Sequence, residues 1–326
     1  MDLRDKSVLV IGGAGFIGSH VVEQLLATEI REVVIYDNFA RGTHANIEES
    51  LQDERCSVFP AGGDIRDLDI LDRAVAGADG VIHLAAMWLL HCHDYPRTAF
   101  DVNVQGTFNV LEACARHEVE RLVYSSSASV YGDAEQVPMT EEHPFNNRNF
   151  YGATKIAGEA MCRAYFERYG LSYTGLRYMN VYGPRQDQSA AYTGVIPIML
   201  NKIEANESPT VNGDGGQAYD FVTVRDVARS NVIALQSSVE DHFFNVGTGV
   251  QTSTRELCNL ILELADSPLE VNFRPYSDED ARRLVQSRIG STEAAERDLG
   301  FRYEDDLRTG LSHLMQWRGM PIAPRL

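Results

Sequence analysis

The 326-residue chain is short of basic side chains, with 29 Lys and Arg against 47 Asp and Glu and a formal net charge of −18. A surface of that sign repels phosphate backbones and anionic headgroups, which argues against nucleic acid or a membrane surface as partner. Any phosphorylated substrate must then be held by local groups against the global field. Cysteine is scarce as well. Cys56, Cys92, Cys114, Cys162 and Cys258 are scattered, odd in number and form no C-x-x-C. No disulfide framework follows, and reduced thiols in a cytoplasm are expected. No stretch reaches 18 uninterrupted apolar residues, and the first apolar run begins almost at the N-terminus. Neither a membrane span nor a signal peptide is expected. Repeats, low-complexity segments and long linkers are missing too. What is left, 44% hydrophobic and 23% charged, describes a soluble globule. Its length exceeds what one core usually supports and predicts two lobes.

The chain is organised around its first forty residues. Val8–Ile11 is a short apolar run leading directly into Gly12-Gly13-Ala14-Gly15-Phe16-Ile17-Gly18, and from Ser19 the spacing of Val21, Val22, Leu25 and Leu26 is helical. Strand, glycine turn and helix N-terminus in that order form a phosphate cradle. Gly12 permits the tight turn, Gly15 lets backbone approach a pyrophosphate, and Gly18 lets helix and strand pack closely. The free N–H groups and positive end of the helix face the anion. A second apolar run, Val33–Tyr36, ends in Asp37, where an acid takes the ribose hydroxyls of NAD. That carboxylate repels the extra phosphate of NADP, and the nearest base, Arg41, lies four residues on. NAD is the predicted cofactor.

Further along, Ser57–Phe59 is a predicted strand followed by Asp64-Ile65. Asp64 either caps the helix expected over Leu68–Val75 or holds an adenine amino group, and the opening motif favours the second. Gly80–Ala86 is a buried strand ending in the small residues Ala85 and Ala86, which let a flat cofactor lie against the backbone. Met87–Pro96 is expected to be a loop lining a substrate pocket. Its His91-Cys92-His93 invites a metal reading, but adjacent residues do not readily converge on one ion and no complementary pair occurs elsewhere. No metal is predicted.

Arg121–Ser127 is a strand whose end turns to hydroxyls, and Tyr151-Gly152-Ala153-Thr154-Lys155 opens a long helix reaching Tyr169. A spacing of four puts Tyr151 and Lys155 on one face. A tyrosine in water, with a pKa of about 10, is a poor base, and a nearby ammonium and the positive nicotinamide ring favour the phenolate. Bringing it near neutrality takes roughly 4 kcal/mol of such interaction. Ser127 can hydrogen-bond the same reacting hydroxyl. A surface pair is the bland alternative for Y-x-x-x-K, and the cofactor motif outweighs it. The strand–helix alternation predicts an α/β fold with a parallel, doubly wound sheet. It breaks over Arg185–Gly216 and again from Thr252. Residues 1–184 with 217–251 are expected to form the NAD-binding domain, and 185–216 with 252–326 a smaller, interwoven substrate domain.

These features together resemble the extended short-chain dehydrogenase/reductase family, and within it the NAD-dependent nucleotide-sugar epimerases and dehydratases, over essentially the whole chain. The matching residues are Gly12-x-x-Gly15-x-x-Gly18, Asp37, Asp64-Ile65, Leu84-Ala85-Ala86, Asn103-x-x-Gly106-Thr107, Ser125–Ser127 before Val130-Tyr131-Gly132, Tyr151-x-x-x-Lys155 and Leu176-Arg177-x-x-Asn180. The resemblance implies a Rossmann domain, a C-terminal substrate domain and a homodimer joined through the helices near Val102–Arg116 and Ala153–Tyr169. It implies cofactor contacts also at Phe16, Ile17, Asn38, Tyr178 and Val181. As in UDP-galactose 4-epimerases, Tyr151 would take the proton of the sugar 4-hydroxyl, Ser127 would orient that oxygen, and Lys155 would hold the nicotinamide ribose. The product is a C4 epimer of a UDP-sugar, formed through a transient 4-keto intermediate.

Similar dehydratases carry an Asp-Glu pair, and uronate decarboxylases a Glu, where this chain has Ala128 and Ser129. Epimerisation is therefore the expected reaction, with decarboxylation, dehydration or reduction, and then a non-catalytic NAD sensor, as the alternatives. Substrate contacts are expected at Met87, Ser127, Ala128, Ser129, Asn180, Arg185, Val195, Asn212, Tyr219, Arg282 and Arg288. Tyr219 stands where the family usually has the arginine that grips the substrate diphosphate, so either Arg185, Arg282, Arg283 or Arg288 does that work or the substrate presents its phosphates differently.

Overall fold

A computed structural model describes residues 1–187, 194–276 and 286–322. Its centre is a sheet of seven parallel strands. In chain order β1 is Ser7–Ile11, β2 Glu32–Tyr36, β3 Cys56–Val58, β4 Gly80–His83, β5 Arg121–Ser127 and β6 Tyr173–Tyr178. Four short strands follow outside this sheet: β7 Asn180–Tyr182, β8 Thr210–Asn212, β9 Ala218–Tyr219 and β10 Phe221–Thr223. Strand β11, His242–Val246, closes the large sheet, whose order is β11-β6-β5-β4-β1-β2-β3. The chain reverses direction across the sheet at β1, so the crevice beyond the ends of β1 and β4 is where an open α/β sheet binds its ligand.

All five residues of β1 are buried, the pattern of a strand covered on both faces. Alternation divides them. Val8 and Val10 join one core with Ile82, Val123 and Leu176, while Leu9 and Ile11 join another with Val81, Leu122 and Tyr124. Helices Phe16–Leu26 and Val224–Gln236 cover the first face. Helices Leu68–Val75, Thr107–Arg116 and Phe150–Tyr169 cover the second. A third cluster, including Ile196, Leu200, Val211, Leu257, Ile261, Leu311 and Met315, lies among Val195–Glu204, Thr254–Leu264 and Leu307–Trp317. The remaining strands, β12 Thr252–Ser253, β13 Asn272–Arg274 and β14 Ser287–Arg288, pair locally: β12-β9-β14, and β13 with β8.

One local expectation is corrected and one alternative is removed. The segment after β4 is not all loop: Leu89–Asp94 is a short helix, with Cys92 fully buried. The helix Leu68–Val75 is capped by Asp67, whose carboxylate accepts the Ile70 N–H. Asp64 is free of that task. Arg282 and Arg283 lie outside the described residues.

Candidate active site

The glycine turn after β1 is held by backbone. Gly12 N–H donates to the Tyr36 carbonyl at 2.7 Å, and Gly12 has φ +85°, a left-handed conformation that favours glycine. A Cβ on Gly18 would lie 2.0 Å from the Gly12 carbonyl oxygen, so helix Phe16–Leu26 meets the turn with no room for a side chain. Gly15 is its N-cap and supplies no side-chain cap. The first N–H groups of a helix have no partner within it, and here, at Phe16 and Ile17, they meet a half-open surface. An anion fits that end.

Asp37 accepts from the N–H of Ala14 at 2.9 Å through one oxygen and of Phe39 at 2.8 Å through the other. Each oxygen keeps acceptor capacity, which suits a ribose diol. Burial raises its pKa, and the two N–H bonds work against that rise. Asn38 caps its own turn by accepting from Ala40 N–H. The turn, the uncapped helix and Asp37 together fit a dinucleotide such as NAD.

The other expected cofactor residues divide into those that face the crevice and those beneath it. Leu84, Ala85 and Ala86, just past the end of β4, and Val181, in the middle of the short β7, are half-buried. Asp64 is engaged by Arg66 at 2.5 Å, which lowers its pKa, and its backbone carbonyl accepts the Tyr36 hydroxyl. Ile65 is buried, and Gly106 leaves the space that its side chain fills. Asn103 is buried too: it holds Met87 by both backbone groups, at 2.7 and 2.9 Å, and reaches Thr154 on the neighbouring helix. The Tyr178 hydroxyl is tied to Ser125 and Asn231, and burial raises its pKa.

Ser127, Tyr151 and Lys155 come together at the end of β5. Helix Phe150–Tyr169 is capped by Asn149, whose side chain accepts the Gly152 N–H at 2.8 Å. Tyr151 therefore sits in the first turn. A Cβ on Gly152 would meet the Ser129 carbonyl oxygen at 2.4 Å, so this turn packs directly on the chain after Ser127. The Lys155 ammonium donates to the Ser125 carbonyl at 2.6 Å and lies 5.8 Å from the centre of the Tyr151 ring.

Burial lowers the Lys155 pKa to about 8. Burial also pushes the Tyr151 phenol up to about 12, against the Ser127 hydroxyl and the positive charge of Arg288, which pull it down. The expected acidification of the phenol is thus not built into the protein alone. One helical turn on from Lys155, Glu159 forms a buried pair with Arg177 at 2.7 Å and accepts from Ser126 at 2.5 Å. Glu159 thus ties β6 through Arg177, and β5 through Ser126, to the helix beneath the reacting groups.

On the substrate side the expected residues are less uniform. Ala128 and Ser129 are buried in the short turn after Ser127. Asn180 donates to the Asp220 carbonyl, Asn212 accepts from Arg274, and Val195 begins its helix half-buried. Arg185 is drawn into an ion pair with Glu23 on helix Phe16–Leu26 and has a left-handed backbone, φ +66°. Arg288 pairs in register with Tyr219 across β14 and β9. Its Nε is buried without a hydrogen-bond partner, and the residue acts electrostatically on both Tyr219 and Tyr151. Among the described residues it is the arginine of the expected set that faces the tyrosine.

Residues 8–247 match the model of the NAD dependent epimerase/dehydratase family. The chain belongs to that family. A UDP-glucose 4-epimerase of Mycolicibacterium smegmatis is 36% identical over 312 residues, covering 95% of this chain and 97% of that protein. A UDP-N-acetylglucosamine 4-epimerase of Methanobrevibacter ruminantium, solved with UDP-N-acetylmuramic acid, superposes with a TM-score of 0.90 at 29% identity, covering 97% of this chain and 98% of that one. The Thermus thermophilus UDP-glucose 4-epimerase, solved with NAD, gives 0.84 at 34% identity, covering 96% and 99%. Membership makes the chain an NAD-dependent enzyme on a Rossmann-type sheet. Glu23, which claims Arg185 across 162 residues, carries no sequence signal. Asn149, the cap that sets Tyr151 in its turn, was findable as an Asn just before a helical run.

Proposed function

We propose that the protein interconverts a UDP-sugar and its C4 epimer through a transient 4-keto sugar, retaining its NAD between turnovers. One conjunction carries this reading: a phenol, a hydroxyl and an ammonium meet at Tyr151, Ser127 and Lys155, beside a turn that fits NAD, in a chain of this family. Tyr151 takes the proton of the 4-hydroxyl and returns it to the same oxygen, while Ser127 holds that oxygen in line. Bound NAD would supply the hydride acceptor and donor at C4, and inversion follows when the 4-keto sugar turns over and presents its opposite face before the hydride returns. With its pKa pushed up to about 12 the phenol is almost wholly protonated near neutral pH, so the positive groups that face it, including the nicotinamide ring, must favour the phenolate for turnover there. Lys155 holds the nicotinamide ribose and adds to that field.

Elimination of water needs a further acid and base. Ala128 and Ser129 offer neither, which favours epimerisation over dehydration. Arg288 is the proposed partner of the substrate's anionic diphosphate, since Arg185 is engaged by Glu23. The third hydrophobic cluster supports a substrate domain built from 185–216 and 252–326. Exposed Phe100, Phe108 and Tyr169 lie on the segment preceding and forming helix Thr107–Arg116 and on helix Phe150–Tyr169. They support a homodimer through those helices. Five free, buried cysteines suit a cytoplasm, and no helix among the described residues is long and apolar enough to cross a membrane.

Incubation with a panel of UDP-, GDP-, CDP- and dTDP-sugars, read by mass and NMR, tests the proposal. A C4-inverted UDP-sugar of unchanged mass supports it, whereas loss of water, loss of CO2 or net NADH formation would assign one of the other reactions.

A further inference from the structure

Two features of the sequence find no place in the chemistry above: Arg41, the base nearest the ribose acid, and Trp88, a bulky residue just past the small residues that end β4. The structure brings them together. The Arg41 guanidinium lies over the Trp88 ring, 4.9 Å from its centre, and also pairs with Asp187 at 3.2 Å. Arg41 is therefore turned toward Trp88 and Asp187.

The path of this contact matters because β1 lies between β2 and β4 in the sheet. Arg41 belongs to the segment leaving β2, and Trp88 to the one leaving β4. Both segments press on the glycine turn between them. Thr43 N–H and the Asn46 side chain both donate to the Ala14 carbonyl, and a Cβ on Gly42 would meet Ala14 at 2.8 Å. On the other flank, a Cβ on Gly12 would meet the Ala85 nitrogen at 2.9 Å. Trp88 is itself fixed as the N-cap of helix Leu89–Asp94, and Asn103 holds its neighbour Met87. A contact joining the two flanks spans the mouth of the turn.

We propose that Arg41, stacked on Trp88 and tied to Asp187, is a strap that closes over the dinucleotide's pyrophosphate and retains NAD through repeated turnovers. The inference rests on NAD binding at the glycine turn. An epimerase gains from such a strap, since the hydride taken from one sugar must be returned by the same cofactor before it escapes. Asp187 brings in the segment after β7, so one arginine joins three strand ends around the crevice. The individual bonds are weak: exposed ion pairs and exposed cation–π contacts each change an equilibrium by only a few-fold. The strap acts on release rate and leaves the chemistry at Tyr151 to other groups.

The test uses the full-length protein loaded with NAD and chased with an excess of isotopically labelled NAD. Trp88→Ala and Arg41→Gln should each release NAD roughly 3- to 10-fold faster, and the double variant no faster than Arg41→Gln, because the contact that Trp88 makes is with Arg41. Trp88→Phe, which keeps an aromatic face, should fall between wild type and Trp88→Ala. Thermal midpoints of the loaded and stripped forms control for folding. Release rates that match wild type in folded variants, or single effects that multiply in the double variant, would overturn the strap alone. Failure of the wild-type protein to bind NAD would overturn the cofactor reading and the strap with it.

Discussion

The turn after β1 and the strand pair β9–β14, proposed to hold cofactor and substrate respectively, are built from different materials. The first works with backbone: glycines that exclude side chains, N–H groups at a helix end, and an aspartate locked by Ala14 and Phe39. The second works with side chains, Tyr219 and Arg288, on strands of two residues each. A backbone cradle tolerates almost no change because its geometry is the site. A side-chain site can change its preference one residue at a time while the sheet stays intact.

The groups between these regions should show the largest effect. Tyr151→Phe should lower turnover by at least about 10³-fold, the scale of a lost general acid–base group, with bound NAD retained. Detectable retained turnover near the wild-type rate would move the proton transfer to another residue. On the backbone side, Gly18→Ala should abolish NAD binding and cost about 2 kcal/mol or more of stability, since its methyl would sit 2.0 Å from a carbonyl oxygen. Cofactor content and urea unfolding would read both. On the side-chain side, Arg288→Met should raise KM for the nucleotide sugar about 10- to 100-fold, the scale of a lost charged hydrogen bond, with NAD content and unfolding unchanged. An equal loss of NAD in that variant would erase the contrast between the two regions.

A smaller effect concerns pH. The folded-state pKa of Lys155 is depressed to about 8 from 10.5, so the folded protein binds fewer protons than the unfolded chain between those values. Stability from this group therefore rises with pH across that window, and its burial penalty is full below about pH 8. The advantage of Lys155→Met over wild type in urea unfolding should be greatest near pH 7 and shrink toward pH 10.5. Its turnover should fall at every pH.

Legibility followed the same division. The glycine turn, Asp37 and the Tyr151–Lys155 spacing are local patterns of a few residues, and each was readable because one strand or one helical turn fixes the geometry. Asp64 reads in the sequence either as a helix cap or as an adenine contact, and the cap falls to Asp67, three residues on, because that is where the first turn begins. The short helix Leu89–Asp94 was hidden by an atypical composition, and its N-cap, Trp88, is not a capping residue. The fate of Arg185 depended on Glu23, and that of Arg41 on Trp88 and Asp187. Such partners are set by how loops from different strands meet, which no local pattern encodes. The phenol's pKa was also beyond a local reading, because spacing predicts a nearby ammonium but not the burial that raises the phenol or the Arg288 charge that opposes it.

The most direct test of the reaction is to run the NAD-loaded protein with UDP-glucose in D2O and follow the sugar by NMR. If hydride leaves C4 and returns to it while Tyr151 handles only the oxygen-bound proton, UDP-galactose accumulates with no deuterium on any ring carbon, and Tyr151→Phe forms none. Deuterium at a ring carbon of the product, or inversion that survives in Tyr151→Phe, would contradict the account.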